Sequence, residues 1–331
     1  MYDYIGIDIA KSSLQIYIPE NIDLELENSY EGLKQLYSKL KKRYKDISNV
    51  VFIFEPTGGY SSLIQKFCHE KSIQCFIVKP SQSAAFSKTI KNRNKTDVID
   101  AKMLYRMHTI AEEGDITVPS YDRELDAIKS YITYYKSIVK ERVSKTNQLE
   151  ASLAKEDEGF VIRRLRAKIK ALKKEEKEII AIVLHLIQSN SKYAQHFKSI
   201  ISFKGIGNIA GVVLFELFMR YKDASPKEII ALCGLDPIQI SSGTSIKKKS
   251  HISKQGSRVV RSTLFMGVLI AINHNPHMRD FYDRLKQHGK HSTVAQIAVM
   301  RKMVVIAFSL FKNLQNYDIT RYKIREEKMV A

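Results

Sequence analysis

Cysteine is scarce: Cys68, Cys75 and Cys233 are the only three in 331 residues, and they form neither a CxxC pair nor a Cys-His ligand spacing. That pattern argues against a zinc-organised fold and against a disulfide framework, and it makes a reducing cytoplasm the expected compartment. A cationic leader followed by an apolar run is also missing. The start, MYDYIGIDIAK, carries acids and reads as folded structure. No segment is expected to have the apolar length to span or anchor in a membrane, and no internal repeat is visible. The most informative absence is local. Between Asp236 and Asp280 there is not one acid, whereas Lys247, Lys248, Lys249, Lys254, Arg258, Arg261 and Arg279 all fall there.

The same asymmetry holds across the whole chain, whose formal charge is +19. Residues 1–120 hold 16 Lys or Arg against 15 Asp or Glu, and residues 121–331 hold 38 against 20. A one-sided cationic excess is the footprint of a polyanion, here nucleic acid rather than a membrane surface.

Three regions are expected. Residues 1–120 alternate short β-like and helical segments: strands at Tyr4–Ile9, Leu14–Ile18, Asp23–Glu27, Val50–Phe54 and Gln74–Val78, with helices at Leu33–Tyr44 and Ser61–Glu70. This order predicts an α/β domain with a mixed sheet. Residues 121–195 carry two apolar stripes, Leu125, Ile128, Ile132, Tyr135, Val139 and then Ile162, Leu165, Ile169, Leu172, Ile179, Val183, Leu186, broken where Glu176 takes a seam position. They predict a coiled-coil hairpin or an oligomerising seam, with an ordinary helix pair inside one subunit as the alternative. Residues 196–331 read as a basic, mainly helical domain interrupted by a loop with little regular signal from Cys233 to Gly256.

Four acids stand out. Asp8 lies inside the first strand in GIDIAK, Glu55 ends an apolar strand in FEPTGGY, and Asp97 and Asp100 share one helical face in KTDVIDAKML. Aspartate is disfavoured in a strand interior, and an acid there needs a compensating partner. Mg²⁺ is such a partner, because it takes carboxylate oxygens and keeps waters for phosphates. Two such ions can clamp the attacking and leaving oxygens of a phosphoryl transfer. Asp97 and Asp100 also admit a plainer reading, as acids in the first turn of a helix capped by Thr96.

GIDIAK, FEPTGGY and KTDVIDAKML, in that order and spacing, resemble the RuvC-like, ribonuclease-H-type domain of the DEDD insertion-sequence transposases, a group that includes the pilin-gene invertases and the bridge-RNA-guided recombinases. The resemblance covers about residues 1–110. It implies a metal-binding set of Asp8, Glu55, Asp97 and Asp100, with two Mg²⁺ ions for which Mn²⁺ would substitute.

Further on, ISFKGIGNIAGVVLFEL resembles the helix-hairpin-helix-like opening of the family's second domain. Gly205 and Gly207 would let backbone N–H groups approach a phosphate, although a plain helix-connecting turn reads equally well. In the acid-free loop, the family's nucleophilic serine beside glycine matches Ser242 of SSG, with Ser241 as an adjacent competitor. Lys247, Lys248, Lys249, Lys254, Arg258 and Arg261 are the candidate nucleic-acid contacts.

The resemblance implies a DNA recombinase that joins element ends and target through a phosphoserine link. It also implies an element-encoded guide RNA and a homo-oligomer, dimer or tetramer, with a composite site. A RuvC-like endonuclease that activates water and a non-catalytic nucleic-acid scaffold are the alternatives.

Overall fold

The computed structural model describes residues 2–44, 46–90, 96–155, 159–238, 241–242, 246–247 and 250–321. The chain divides into two compact units, Met1–Asp122 and Arg123–Ala331.

The first unit is built on β1 (Asp3–Ile9), β2 (Ser13–Ile18), β3 (Ile22–Glu27), α1 (Tyr30–Arg43), β4 (Val50–Phe54), α2 (Ser62–Lys71), β5 (Gln74–Ile77), α3 (Pro80–Ile90), α4 (Asp97–Arg106) and β6 (Ile116–Thr117). The strands form one six-stranded sheet in the order β3-β2-β1-β4-β5-β6. The pairs β1·β4 and β4·β5 are parallel, and the other pairs are antiparallel.

Alternation along β1 decides what each face carries. Ile5, Ile7 and Ile9 point to one side and bury against Leu33, Leu36 and Leu40 of α1 and Ile64 and Phe67 of α2. Each such burial contributes about 1.5–3 kcal/mol. Tyr4, Gly6 and Asp8 point to the other side, where Val51, Ile53 and Phe76 pack on Met103 and Leu104 of α4. Strand β4 is covered on both faces and is apolar at every position. Helix α4 is locked to the sheet by Lys102, whose Nζ lies 3.1 Å from Asp23 and 5.3 Å from the Tyr17 ring.

The second unit opens with two long helices, α5 (Arg123–Ala154) and α6 (Phe160–Ser189), packed on each other within one chain. Glu176, the break in the apolar seam, is answered across the hairpin by Arg142 at 2.5 Å. The seam differs from expectation at its end. Leu186 is exposed and Ile187 is buried instead, following Ile179 and Val183 at four-residue steps. A straight helix drifts against a seven-residue repeat, so the buried stripe shifts by one position.

Then follow α7 (Ser191–Ile201), α8 (Asn208–Arg220), α9 (Pro226–Leu232), α10 (Arg258–His274), α11 (Pro276–Gln287) and α12 (Ser292–Asn313). They enclose a core that includes Phe203, Phe215, Phe218 and Phe308. Contrary to the expectation that no segment reaches spanning length, α12 is long and apolar enough to cross a membrane. Its apolar residues, among them Val299, Met303, Val304 and Ala307, are core residues of this unit.

The stretch from Cys233 to Gly256 also departs from expectation. Four short strands, β7 (Pro237–Ile238), β8 (Ser241–Ser242), β9 (Ile246–Lys247) and β10 (His251–Ile252), pair antiparallel as β7·β10 and β8·β9. Strands of two residues are too short to carry a readable alternation.

Candidate acidic site and basic loop

Parallel pairing sets Asp8 beside Glu55. Ile7 of β1 is in register with Phe54, the last residue of β4, and the residue that follows each in the chain is an acid. Both acids fall at the carboxyl ends of adjacent parallel strands, the usual place for a site in such a sheet. Gly6 brings the other two. A Cβ at Gly6 would lie 2.1 Å from the Ala101 carbonyl oxygen and 2.5 Å from the Tyr105 nitrogen, so α4 rests directly on the β1 backbone. Asp97 and Asp100 occupy the first turn of that helix, next to Ala101. Thr96 caps the helix as expected, its Oγ1 accepting from the Ile99 N–H at 3.3 Å.

Electrostatics report the convergence. The Asp8 carboxyl is pushed above the usual carboxylate range by burial first, then by the negative charges of Asp100 and Asp97 and, more weakly, of Glu55, against a small opposing effect of its hydrogen bond from the Ile9 N–H. The charged side chains that act on Asp8 are therefore all acids. Glu55 is steadied by the buried Ser83, whose hydroxyl donates to Oε2 at 2.5 Å. Asn28 ties together the loops that follow the two strands, its Nδ2 donating to the Ala10 carbonyl at 2.9 Å and the Tyr60 carbonyl at 3.2 Å.

Among the described residues, no group of three or more Asp, Glu, His or Cys side chains is arranged to hold a metal ion. The chemistry of the four side chains, carboxylate oxygens only around a half-buried Asp8 with like charges about it, would suit a hard ion that keeps several of its own waters.

In the second unit, Gly205 adopts φ +117° and is pressed against α10, where a Cβ would lie 2.8 Å from the Gly267 carbonyl oxygen. Gly207 is the N-cap of α8, with open space above it. The turn borders an open groove of about 590 Å³ that Tyr135, Ile180, Leu184, Ile209 and Ile270 help to line.

For Ser241, Ser242 and Lys247 the backbone is described: Ser242 ends β8 and pairs with Ile246, and Ser241 pairs with Lys247. Lys248 and Lys249 lie outside the described residues. Lys254 is exposed at φ +56°. Arg258 is exposed in the first turn of α10 and lies close enough to Lys136 of α5 to lower the lysine's pKa, after the larger effect of burial. Lys136 in turn donates to Ser262 Oγ at 3.2 Å. Arg261 donates to three main-chain carbonyls, those of Cys233, Gly256 and Lys254.

Gly6, Ser83 and Lys136 escaped the sequence reading. A glycine inside a strand does mark close backbone approach, so Gly6 was legible in principle. Ser83 and Lys136 act through contacts 28 and 126 residues away, and no local pattern announces those.

An acid-bearing mixed sheet followed by a basic helical unit is matched along the chain by two family models. Residues 5–156 match the DEDD transposase model of the IS110 type, and residues 198–283 match the model described as transposase of the IS116/IS110/IS902 family. The class is thus a DNA-rearranging enzyme whose substrate is DNA.

Similar proteins agree. The pilin gene-inverting protein of Moraxella bovis is 27% identical over 327 residues, covering 95% of this chain and 97% of that protein, and its Moraxella lacunata counterpart gives the same figures. The insertion element IS110 uncharacterized 43.6 kDa protein of Streptomyces coelicolor is 27% identical over 118 residues, covering 35% of this chain and 29% of that one. The chain belongs to the IS110 family of transposases.

Proposed function

We propose that this transposase cuts and rejoins DNA strands through a covalent serine intermediate, with Ser242 as nucleophile and Asp8, Glu55, Asp97 and Asp100 as the ligands of a pair of Mg²⁺ ions. The observation that carries the metal reading is the environment of Asp8, where burial and three neighbouring acids all disfavour its charge. A divalent cation, when bound, would supply charge neutralisation at a phosphodiester. Asp8 and Glu55 contribute oxygens from adjacent strand ends, Ser83 holds Glu55 in orientation, and the first turn of α4 presents Asp97 and Asp100.

The chemistry balances without an outside energy source. The serine Oγ–P bond forms, one ester bond from phosphorus to deoxyribose breaks, and the serine proton is transferred to a base while the departing oxygen takes one up. Rejoining is the reverse step with a different deoxyribose hydroxyl. A carboxylate of the acidic set is the candidate proton acceptor. Kinship with pilin gene-inverting proteins over nearly the whole chain supports rejoining, because an inversion requires both cut ends to be resealed. A guide RNA from the element and action as a dimer or tetramer belong to the same proposal and rest on family kinship.

Trapped reactions on duplex DNA carrying the element junction, with RNA transcribed from the element's noncoding flank, test the reading. DNA is expected on the peptide that contains Ser241 and Ser242, and Ser242→Ala is expected to abolish both adduct and recombination while retaining binding. Loss in Ser241→Ala with survival in Ser242→Ala moves the nucleophile by one residue. Free cut ends in the double variant instead identify a water-activating endonuclease.

A further inference from the structure

The acid-free loop springs from a root where its outgoing and returning limbs touch. The Lys254 N–H donates to the Gly234 carbonyl at 3.2 Å, the Ser253 N–H to the Asp236 carbonyl at 2.9 Å, and the Ser257 N–H to the Leu232 carbonyl at 2.7 Å. The Ser253 hydroxyl adds a bond to the Asp236 carboxylate.

Arg261 closes this root. One Nη donates to the Cys233 carbonyl at 2.8 Å and to the Gly256 carbonyl at 3.0 Å, and the other to the Lys254 carbonyl at 3.3 Å. A single planar fork from α10 therefore joins the end of α9 to the returning limb. The packing is tight enough to require glycine at two places. A Cβ on Gly234, where φ is +63°, would lie 2.4 Å from Arg261 Nη1, and one on Gly256 would lie 2.2 Å from the Leu232 carbonyl oxygen.

The consequence is geometric. Ser242 lies four residues beyond Ile238, the last residue of β7, a chain length of at most about 14 Å. A root that loosened by about 10° would displace the end of a reach of that length by up to about 2.4 Å, and a misplacement of about 1 Å already costs on the order of 100-fold in rate.

We propose that Arg261 is a positioning residue for the serine hairpin rather than a phosphate ligand: its guanidinium fixes the hairpin's root and so the approach of the nucleophile to the scissile phosphodiester. This rests on Ser242 being that nucleophile. Lysine cannot replace Arg261 fully, because a compact ammonium lacks the planar fork that reaches carbonyls on both limbs.

Arg261→Gln and Arg261→Lys in the full chain decide the matter through three readouts. Adduct formation and recombination on the junction DNA with flank RNA should fall about 100-fold in Arg261→Gln and less in Arg261→Lys. The salt dependence of binding to a random-sequence DNA duplex should stay at the wild-type slope, since the guanidinium faces carbonyls. Amide exchange in peptides from 232–257 should accelerate while that of residues 2–44 is unchanged.

Gly234→Ala loosens the same root by a second route, its Cβ lying 2.7 Å from the Gly256 nitrogen as well as 2.4 Å from Arg261 Nη1, and it should reproduce the loss of adduct and the faster loop exchange at an unchanged salt slope, while Arg261→Lys reports on the guanidinium itself. A salt slope lowered by about 0.9 with unchanged loop exchange would overturn the proposal in favour of a phosphate contact. Retention of the adduct in both Ser242→Ala and Ser241→Ala defeats the nucleophile reading separately, because exchange and salt slope still report on the bracket.

Discussion

Alanine at Gly6 tests whether the acidic site depends on how closely α4 lies on β1. The new methyl carbon would sit 2.1 Å from the Ala101 carbonyl oxygen and 2.5 Å from the Tyr105 nitrogen. Both are helix backbone atoms that no rotamer change can move aside. Restoring ordinary contact requires α4 to retreat by about 1 Å or more, given comfortable non-bonded separations above about 3 Å. Overpacking of this kind costs about 1–3 kcal/mol, which for a unit of this size lowers Tm by roughly 4–15 °C. The helix that retreats carries Asp97 and Asp100, so two of the four acids move away from Asp8 and Glu55. Recombination should fall on the order of 100-fold, while DNA binding by the cations of the second unit is retained. Differential scanning fluorimetry and a recombination assay measure both effects. Gly114→Ala, whose Cβ would meet nothing within 4 Å, is the control. A Gly6→Ala protein with wild-type Tm and wild-type recombination would refute the placement of α4 on β1 and the site geometry that follows from it.

Three further predictions concern charge. Without divalent ion, Asp8→Asn should be more stable than wild type at neutral pH, because it removes a desolvated charge repelled by Asp100, Asp97 and Glu55. An acid whose pKa is raised on folding contributes stability that is full below its unfolded value, near 3.8, and is lost as pH rises through the raised folded value. Wild type in EDTA should therefore gain stability relative to Asp8→Asn as the pH falls from neutral through that window, and coincident pH profiles would contradict the shift. With Mg²⁺ at about 100 times its Kd, wild type should gain about 2.7 kcal/mol and Asp8→Asn little, and equal gains would remove Asp8 from the metal site. In the second unit, Lys136→Gln and Arg258→Gln should each lower the salt slope of duplex binding by about 0.9, and unchanged slopes in both would take this cation pair out of the nucleic-acid interface.

The first unit was legible because its physics is local. Alternating Ile5, Ile7 and Ile9 mark a strand with one buried face, and Asp8 stands out on the opposite face as a half-buried acid. The five expected strands were found within one residue of their expected bounds. The two-residue β6 was missed, since a strand that short has no period to read. In the second unit the hairpin's apolar stripes were visible, but Leu186 was taken for Ile187 because a seam read as heptads keeps no account of helical drift. The serine hairpin and the Arg261 bracket were opaque for a different reason. The hairpin is held by main-chain pairing that every residue can make, and the Arg261 side chain donates to main-chain carbonyls, so neither partner set leaves a trace in the side-chain sequence.

Each unit concentrates charge of one sign where its ligand would act. Around Asp8 the neighbours are acids, and beside Arg258 the neighbour is Lys136 on another helix. Neither arrangement favours the isolated unit: burial and repulsion raise the carboxyl in one case and lower the ammonium in the other. Like charges would be separated if folding stability alone were at stake, since single surface substitutions suffice to do so. Under the function proposed above, divalent cations at the acids and phosphates at the lysine and arginine would supply compensating charge. On that reading, binding of each ligand would add to the stability of the unit that holds it, because a ligand that binds only the folded state stabilises it.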